Sequence, residues 1–245
     1  DNDSGEAGIT VVGTTLATSE AGGSDTFTVV LEGAPDSNVL IAISSSEEAE
    51  ATVDPAALLF TPSNWQDAQP VTVIGVDDPV VDGDQAFTVF IGPVTSDDAS
   101  YSALDPDDLS GSNADDDLAG LVVVAASTLN TDESGSSDSF TVYLTSAPTH
   151  EVSLAVASSD TDEVTVSPET VVFTPTDYGN RTVTVTGEND DVVDGPASVT
   201  LQLGPVTSDD SNYGGMDAGD PIDVVNADDD VADIVVTPTS GLSVS

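Results

Sequence analysis

The sequence predicts an all-β protein made of tandem immunoglobulin-like antiparallel β-sandwiches, about seven strands each, joined end to end. Three observations predict this class. Apolar residues alternate with Thr, Ser and other polar residues along short runs, which is the period of a half-buried strand. Helical periodicity is absent throughout. One long segment pattern also occurs twice, so a single repeated module accounts for most of the chain.

The repeat is visible in several pairs of segments. "TLATSEAGGSDTFTVVLEGAP" begins at Thr15, and "TLNTDESGSSDSFTVYLTSAP" begins at Thr128, 113 residues later. "LLFTPSNW" is matched by "VVFTPTDY", and "GPVTSDDASY" by "GPVTSDDSNY". The triplet in "NADDDLAGLVVV" returns in "NADDDVADIVVT". The order of these pairs is the same in both copies, which indicates two complete modules.

Within the first module the strands follow one another in a regular order. "DTFTVVLEG", "NVLIAISSS", "QPVTVIGV" and "AFTVFIGPV" each alternate with period two, and Gly, Pro, Asp or Ser clusters separate them. Thr and Val alternation predicts one buried and one solvated face for each sheet. High charge with few aromatics is typical of disordered chains, but a hydrophobic content of 38% arranged in such runs favours a packed core.

The module boundaries follow from the acidic triplets. Residues 7–117 form the first predicted module and residues 118–230 the second. Residues 1–6, with Asp1-Asn2-Asp3 in the place of a triplet, resemble the tail of a preceding module. Residues 231–245 are expected to be either the first strand of a third module or a strand donated to a neighbouring subunit.

The charge balance excludes several classes of partner. The chain has 46 Asp and Glu against a single Lys or Arg, which is Arg181, and its formal net charge is −45. Nucleic acid is excluded, because its phosphates are bound by Lys and Arg. No apolar run approaches the roughly 20 residues that cross a bilayer, so direct membrane insertion is not expected. There is no cysteine for disulfides or thiolate metal sites.

The acidic residues cluster at matching places of the module. In an immunoglobulin-like sandwich the loops after the first, third and fifth strands share one end with the end of the last strand. The clusters of the first module fall in these places: Glu20, then Glu47 and Glu50, then Asp77, Asp78, Asp82 and Asp84, and finally Asp115, Asp116 and Asp117. Oxygen donors on loops suit Ca²⁺, whereas Mg²⁺ requires a tighter octahedral geometry. The alternative is the solvated acidic surface of a halophile, whose charges should instead scatter over the outward strand positions.

These motifs resemble the Calx-beta family, a module of sodium–calcium exchangers, integrin β4 and large bacterial surface proteins. The resemblance rests on "SEAGGSDTFTVVL" with "DESGSSDSFTVYL", "VDDPVVDGD" with "ENDDVVDG", and the two triplet segments. It implies several calcium ions clustered at module junctions. In the first module they would be held by Glu20, Glu47 or Glu50, Asp77, Asp78, Asp82 and Asp115 to Asp117, with the carbonyl of Val80. In the second module it implies Glu133, Asp160 or Asp162, Asn189, Asp190, Val192, Asp194, Asp228, Asp229 and Asp230 as ligands.

The second module departs from the family pattern. Asn189 stands where an aspartate is expected, Pro196 matches Asp84, and Gln85 and Ala197 replace an acid in the two modules. We therefore expect the second cluster to bind fewer ions or to bind them more weakly.

Other features are assigned smaller roles. The acidic hairpin before the last strand reaches the preceding module through Asp209 and Asp210, or holds its own ion through Asp97, Asp98 and Asp105. Four aromatic residues occupy matching positions in the two modules and are expected to anchor the core or loops: Trp65 with Tyr178, and Tyr101 with Tyr213. His150 has no counterpart in the first module, and no nucleophile or phosphate-binding motif is present, so an enzyme is not expected.

The functional expectation is a calcium-binding, calcium-rigidified spacer of an extracellular bacterial adhesin or surface fibre. Its expected partners are calcium and neighbouring modules or identical subunits. Two alternatives stay open: a self-assembling fibre subunit that donates its C-terminal strand, and a calcium-dependent module that binds a sugar or a protein.

Overall fold

The computed structural model describes residues 6–234, and these residues contain strands and no helix. No segment in this range could therefore cross a membrane as a helix. The chain divides into two compact units, one ending at Asp117 and the other beginning at Leu118. The expectations for Asp1 to Asp3 and for a strand beyond Ile234 fall outside the described residues.

The first unit is a sandwich of two sheets. Its nine strands are β1 (Ile9–Val12), β2 (Leu16–Ser19), β3 (Ser24–Leu31), β4 (Val39–Ser45), β5 (Ala51–Asp54), β6 (Ala57–Phe60), β7 (Gln69–Gly75), β8 (Gln85–Ser96) and β9 (Leu109–Ala114). One sheet has the order β1-β3-β7-β5, and the other has the order β2-β9-β8-β4-β6.

The second unit repeats this arrangement. Its strands are β10 (Leu121–Val124), β11 (Leu129–Asp132), β12 (Ser137–Leu144), β13 (Val152–Ser158), β14 (Val164–Ser167), β15 (Thr170–Phe173), β16 (Arg181–Gly187), β17 (Ala197–Leu203), β18 (Thr207–Ser208) and β19 (Ile222–Ala227). The sheets have the orders β10-β12-β16-β14 and β11-β19-β17-β13-β15, and β18 pairs with β13. The predicted all-β, immunoglobulin-like class is confirmed.

The predicted alternation builds each core. In β3 the side chains of Phe27, Val29 and Leu31 are buried, while the residues between them are more exposed. The matching strand β12 buries Phe140, Val142 and Leu144 in the same way. Because successive side chains of a strand point to opposite faces, one apolar row per strand is sufficient to fill the space between two sheets.

The first strand of each unit differs from the simple seven-strand expectation. It is divided in two: β1 pairs antiparallel with β3, whereas β2 pairs parallel with β9 in the opposite sheet. Gly13 lies in the crossing, where a Cβ atom would come within 2.8 Å of the Phe27 Cβ. A second crossing connects β5 to β6, which belong to different sheets. These crossings raise the strand count and add one parallel pair per unit.

Buried tyrosines fasten the loop that follows β8 or β18. The Tyr101 hydroxyl donates to the Gly33 carbonyl at 2.6 Å and accepts from the Gly33 N–H at 3.2 Å. Tyr213 bonds the Ser146 carbonyl at 2.7 Å in the second unit. Trp65 and Tyr178 are partly buried against the two cores. The predicted anchoring role of these aromatics is confirmed.

Candidate metal centre

The acidic clusters of the first unit come together at one end of its sandwich. Glu20 follows β2, Glu50 precedes β5, the segment 77–84 connects β7 to β8, and the triplet follows β9. Their carboxylate oxygens form three groups in which the ligand atoms lie within 4.8 Å of one another. The groups are Glu20 with Asp115 and Asp117, Glu20 with Asp77 and Asp116, and Glu50 with Asp78 and Asp82. We call these eight residues the first acidic pole.

The backbone of the connecting loops fixes the triplet. Asp115 accepts the Gly83 N–H on Oδ2 at 2.7 Å and the Asp117 N–H on Oδ1 at 2.8 Å. Gly83 has a φ of 76°, a left-handed conformation that glycine adopts without strain. Asp84 accepts the Asp115 N–H at 3.3 Å, which joins the same two loops again. The triplet is thereby held against the loop between β7 and β8.

A buried asparagine lies beneath the first acidic pole. Asn113 accepts the Thr18 hydroxyl at 2.8 Å and donates to the Val76 carbonyl at 3.0 Å, and its side chain also bonds Glu50. A Cβ atom at Gly75 would overlap the Asn113 Oδ1, so this position requires glycine. Asn113 therefore connects three of the elements that carry the carboxylates. Sequence reasoning missed this role, although the identical "NADDD" motif in both units points to it.

The second unit contains two such groups. They are Glu133 with Asp228 and Asp230, and Glu163 with Asp190 and Asp194, again with ligand atoms within 4.8 Å. We call these six residues the second acidic pole. Gly195 donates to Asp228 at 2.7 Å, and Asp230 donates to the same carboxylate at 2.8 Å, which repeats the triplet geometry of the first unit.

Glu163 is the residue that the sequence interpretation left out. It lies 113 residues after Glu50, so the repeat spacing itself identifies it. Its Oε2 accepts the Asn226 side chain at 3.2 Å, and Asn226 also donates to the Glu188 carbonyl. Asp160, at the position of Glu47, and Asp162 lie outside these groups, and Asp160 instead accepts the Asp162 N–H at 3.1 Å.

The remaining proposed ligands have local partners. The Val80 N–H donates to Asp78 at 2.8 Å, and the Val192 N–H donates to Asp190 at 2.7 Å. The Asn189 side chain donates to the Asp190 carbonyl at 2.8 Å. The Asp229 N–H donates to Glu133 at 3.3 Å. Direct ligation by Val80, Val192, Asn189 and Asp229 stays a prediction, as it does for Glu47 and Asp84.

The electrostatics of the first acidic pole oppose full ionisation. Burial, with the neighbouring charges of Asp78, Asp115 and Asp82, raises the pKa of Glu20 from 4.5 to about 7, although an N–H of Asp116 partly offsets this. Burial and Asp115 likewise raise the pKa of Asp117. The pKa of Glu50 is raised by burial and then by Asp82 and Asp78, against the hydrogen bond from Asn113.

In the second acidic pole the pKa values of two acids are raised and that of one is lowered. Burial raises the pKa of Glu133, and burial followed by Asp191 raises that of Asp230. The pKa of Asp228 is lowered, because the N–H groups of Gly195 and Asp230 stabilise its charged form.

Four carboxylate oxygens in these poles are buried without a hydrogen-bond partner among the described residues: Glu20 Oε2, Glu50 Oε2, Asp117 Oδ2 and Asp230 Oδ2. The Glu20 side chain is only 5% exposed. A buried acceptor without a donor is unfavourable unless another group supplies positive charge. The donor set is made only of carboxylate oxygens, which suits a hard cation such as Ca²⁺. The residues present therefore fit a metal ion.

Two aspartates outside the poles accept hydrogen bonds from backbone N–H groups. Asp98 accepts the N–H groups of Asp36 and Ser100, and these bonds lower its pKa. Burial acts to raise the pKa of Asp210, but the N–H groups of Thr149 and Asn212 outweigh it, so the pKa is lowered. Both aspartates thus act as turn anchors within their own unit. Contact of Asp209 or Asp210 with the other unit stays a prediction.

The histidine and the arginine lie apart from these groups. His150 is exposed, and its ring nitrogen is 3.1 Å from the Thr149 hydroxyl. Arg181 forms an ion pair with Asp177 at 2.8 Å and bonds the Asp177 carbonyl. Neither residue belongs to a cluster that resembles a catalytic arrangement.

No protein-family model matches the chain, and no curated protein matches it. Among solved structures, the chain is similar to CBD12 from CALX1.2, with 16% identity over 80% of each chain and a TM-score of 0.36. It is similar to the calcium binding domain CBD12 of CALX1.1, with 17% identity over 79% of this chain and 78% of that one and a TM-score of 0.36. The E. coli chaperone DraB matches at 11% identity over 89% and 98%, with a TM-score of 0.32.

Proposed function

We propose that each unit binds Ca²⁺ through its acidic pole. The observation that carries this proposal is the buried Glu20 carboxylate, which belongs to two three-carboxylate groups at once and whose Oε2 has no hydrogen-bond partner within residues 6–234. A cation held there would neutralise neighbouring charges that otherwise repel through partly desolvated space. It would also coordinate the Glu20 Oε2, to which the part of the chain that the structure describes supplies no donor.

Protons and side-chain cations are weaker explanations of the same geometry. Protonation would neutralise Glu20 only near or below its raised pKa. The single arginine is engaged with Asp177, outside both poles. Calcium accepts six to eight oxygen ligands, roughly 2.3–2.6 Å away, in flexible geometry, which suits carboxylates from several loops better than Mg²⁺ does.

The two units are proposed to hold different numbers of ions. The first acidic pole provides three groups and the second provides two, because Asn189 stands where Asp77 stands in the first unit. The first unit therefore has the larger capacity. In the first unit two of the groups share Glu20, so the binding of ions to these two groups is coupled.

Calcium binding at these places would stiffen the chain. β9 ends at Ala114, and the triplet that follows leads directly to Leu118, where the second unit begins. Ions held by Asp115 and Asp117 together with Glu20 would remove freedom from this connecting segment. We therefore propose a calcium-rigidified spacer, non-catalytic and extracellular, in a surface adhesin or fibre. Strand donation between subunits involves residues beyond Ile234 and is retained as the alternative mode of assembly.

The direct experiment is calorimetric titration of the complete chain with Ca²⁺ and, separately, with Mg²⁺ after chelation. Glu20→Gln removes the carboxylate shared by two groups of the first unit, and Glu133→Gln removes one carboxylate from the second unit. Asp67→Asn is the matched control, because Asp67 is exposed and outside the poles. We expect Glu20→Gln to weaken Ca²⁺ binding to the first unit by about tenfold or more, and Asp67→Asn to leave it unchanged.

A halophilic surface would give a different result. In that case Ca²⁺ and Mg²⁺ would have the same effect on the protein, and NaCl at equal ionic strength would have that effect too. The three variants would also respond to calcium in the same way. Small-angle scattering with calcium and with chelator tests the spacer separately. A particle whose length and flexibility do not change with calcium would refute stiffening while leaving binding intact.

A further inference from the structure

The first unit carries an uncharged apolar strip on the outer face of its second sheet. The strip lies on β6, β4 and β8 and consists of Leu40, Ala42, Ala57, Leu59, Phe90 and Pro93, with the small polar residues Thr95 and Ser44 opposite Leu40 and Phe90. Leu40 lies directly opposite Leu59, and Ala42 lies opposite Ala57. Leu40, Leu59 and Phe90 are 43%, 47% and 43% exposed. Large apolar side chains grouped on an otherwise polar surface are typical of interaction sites.

The second unit carries only part of this strip, with apolar residues kept at the positions of Ala42, Leu59 and Pro93 by Ala155, Val172 and Pro205. Ser153 occupies the position of Leu40, Thr170 that of Ala57, and Gln202 that of Phe90. A sandwich of this type therefore folds with polar residues at these positions. Leu40, Ala57 and Phe90 are therefore not needed for the fold, which indicates that they contribute to another property of this face.

The aromatic end of the strip borders a recess with negative charge. The recess has a volume of about 240 Å³ and is lined by Phe90, Ile91, Gly92, Asp105 and Asp108. Asp108 accepts the Ile91 N–H at 2.9 Å, which fixes its carboxylate beside the strand. An exposed aromatic ring with carboxylates beside it is the combination that attracts a Lys or Arg side chain, through its charge and through the ring face.

We propose that this strip docks a protein whose surface presents apolar side chains with flanking Lys or Arg. Charge complementarity favours a basic partner over a second copy of the chain. A second copy would bring another net charge of −45 and a second pair of Asp105 and Asp108 carboxylates to the same face. The strip itself has no charged residue, so it can desolvate while the recess at Phe90 receives the basic side chain. The interaction is independent of the acidic poles.

The test uses a fluorescent peptide that alternates Arg and Leu, with two companion peptides that alternate Glu with Leu and Arg with Ser. Binding to the complete chain is measured by anisotropy at about 150 mM NaCl, where charges beyond about 8 Å are screened. The variant Leu40→Ser with Phe90→Gln introduces the residues of the second unit and keeps the net charge. Any non-specific attraction of a cationic peptide is therefore the same in both proteins.

We expect the Arg–Leu peptide to bind the double variant about tenfold more weakly than the parent, on the scale of one buried aromatic side chain. The reciprocal variant, Ser153→Leu with Gln202→Phe, should create a second site of similar affinity. It keeps the test valid if the first variant folds poorly. Arg–Ser should bind more weakly than Arg–Leu, and Glu–Leu should not bind measurably.

Three results would overturn the proposal. Equal binding of Arg–Leu to parent and double variant would leave only non-specific electrostatics. Equal binding of Glu–Leu and Arg–Leu would show that no basic partner is selected. A parent dimer in sedimentation that is lost in the double variant would assign the strip to a second copy of the chain.

Discussion

The sharpest consequence of the first acidic pole is that Glu20→Gln should affect stability with opposite sign in chelator and in calcium. Glu20 is 5% exposed, and its pKa in the folded chain is about 7, compared with an ordinary value of 4.5. The folded state thus holds this proton more tightly than the unfolded state does. Without calcium, the free energy of unfolding should fall as pH rises from about 4.5 to 7 and stay low above that range.

The size of the stability change follows from the difference between the folded and unfolded pKa values of Glu20. A pKa difference of about 2.5 units at about 1.4 kcal/mol per unit corresponds to roughly 3 kcal/mol for the first unit. Glutamine has the same shape as protonated glutamate, and its amide oxygen can accept the Asp116 N–H. In chelator at pH 8 the variant should therefore be more stable than the parent, by up to about 10 °C in Tm. In saturating calcium it should lose much of the stabilisation that the parent gains.

Scanning calorimetry of the parent and Glu20→Gln at pH 5 and pH 8, each with chelator and with calcium, measures all four conditions. Glu133→Gln, made in the same way, identifies the transition that belongs to the second unit. A Glu20→Gln variant that is destabilised in chelator at pH 8 would refute the reasoning. So would a parent whose stability without calcium does not change between the two pH values.

Three further predictions concern residues around the poles. Asn113→Ala should destabilise the first unit by about 3 kcal/mol in urea unfolding, since it leaves buried partners unsatisfied, and should also weaken calcium binding. Glu163→Gln should reduce the calcium affinity of the second unit about tenfold in titration, whereas Asp160→Asn should not; equal effects would contradict the grouping. Tyr101→Phe should lower the unfolding free energy by about 2 kcal/mol, because both groups of Gly33 lose their partner, with calcium affinity unchanged.

Much of the fold could be predicted from the sequence because its signals are local. Alternation with period two is set by the geometry of a strand, so "DTFTVVL" alone assigned Phe27, Val29 and Leu31 to one side of β3. The division of the first strand could not be predicted in this way. β2 pairs with β9 in the opposite sheet, and the chain reaches it through Gly13, where the packed Phe27 leaves no room for a Cβ atom.

The acidic residues show the same limit at the site. Their places in the repeat indicated that Glu20, Asp78 and Asp115 meet at one end, because topology carries loops of matching position to one pole. Selecting Glu163 over Asp160 required either strict use of the 113-residue spacing or the side-chain positions themselves.

The sequence by itself therefore determined the class of the fold, the repeated module, the scarcity of cationic side chains and the identity of most acidic residues at the poles. Tertiary structure alone decided which carboxylate oxygens are buried without a donor, which acids serve only as turn anchors, and that Asn113 fastens the first acidic pole from below. Those properties depend on the joint placement of residues distant in the chain. Burial and partner geometry are set by packing across both sheets, and no local pattern of residues encodes them.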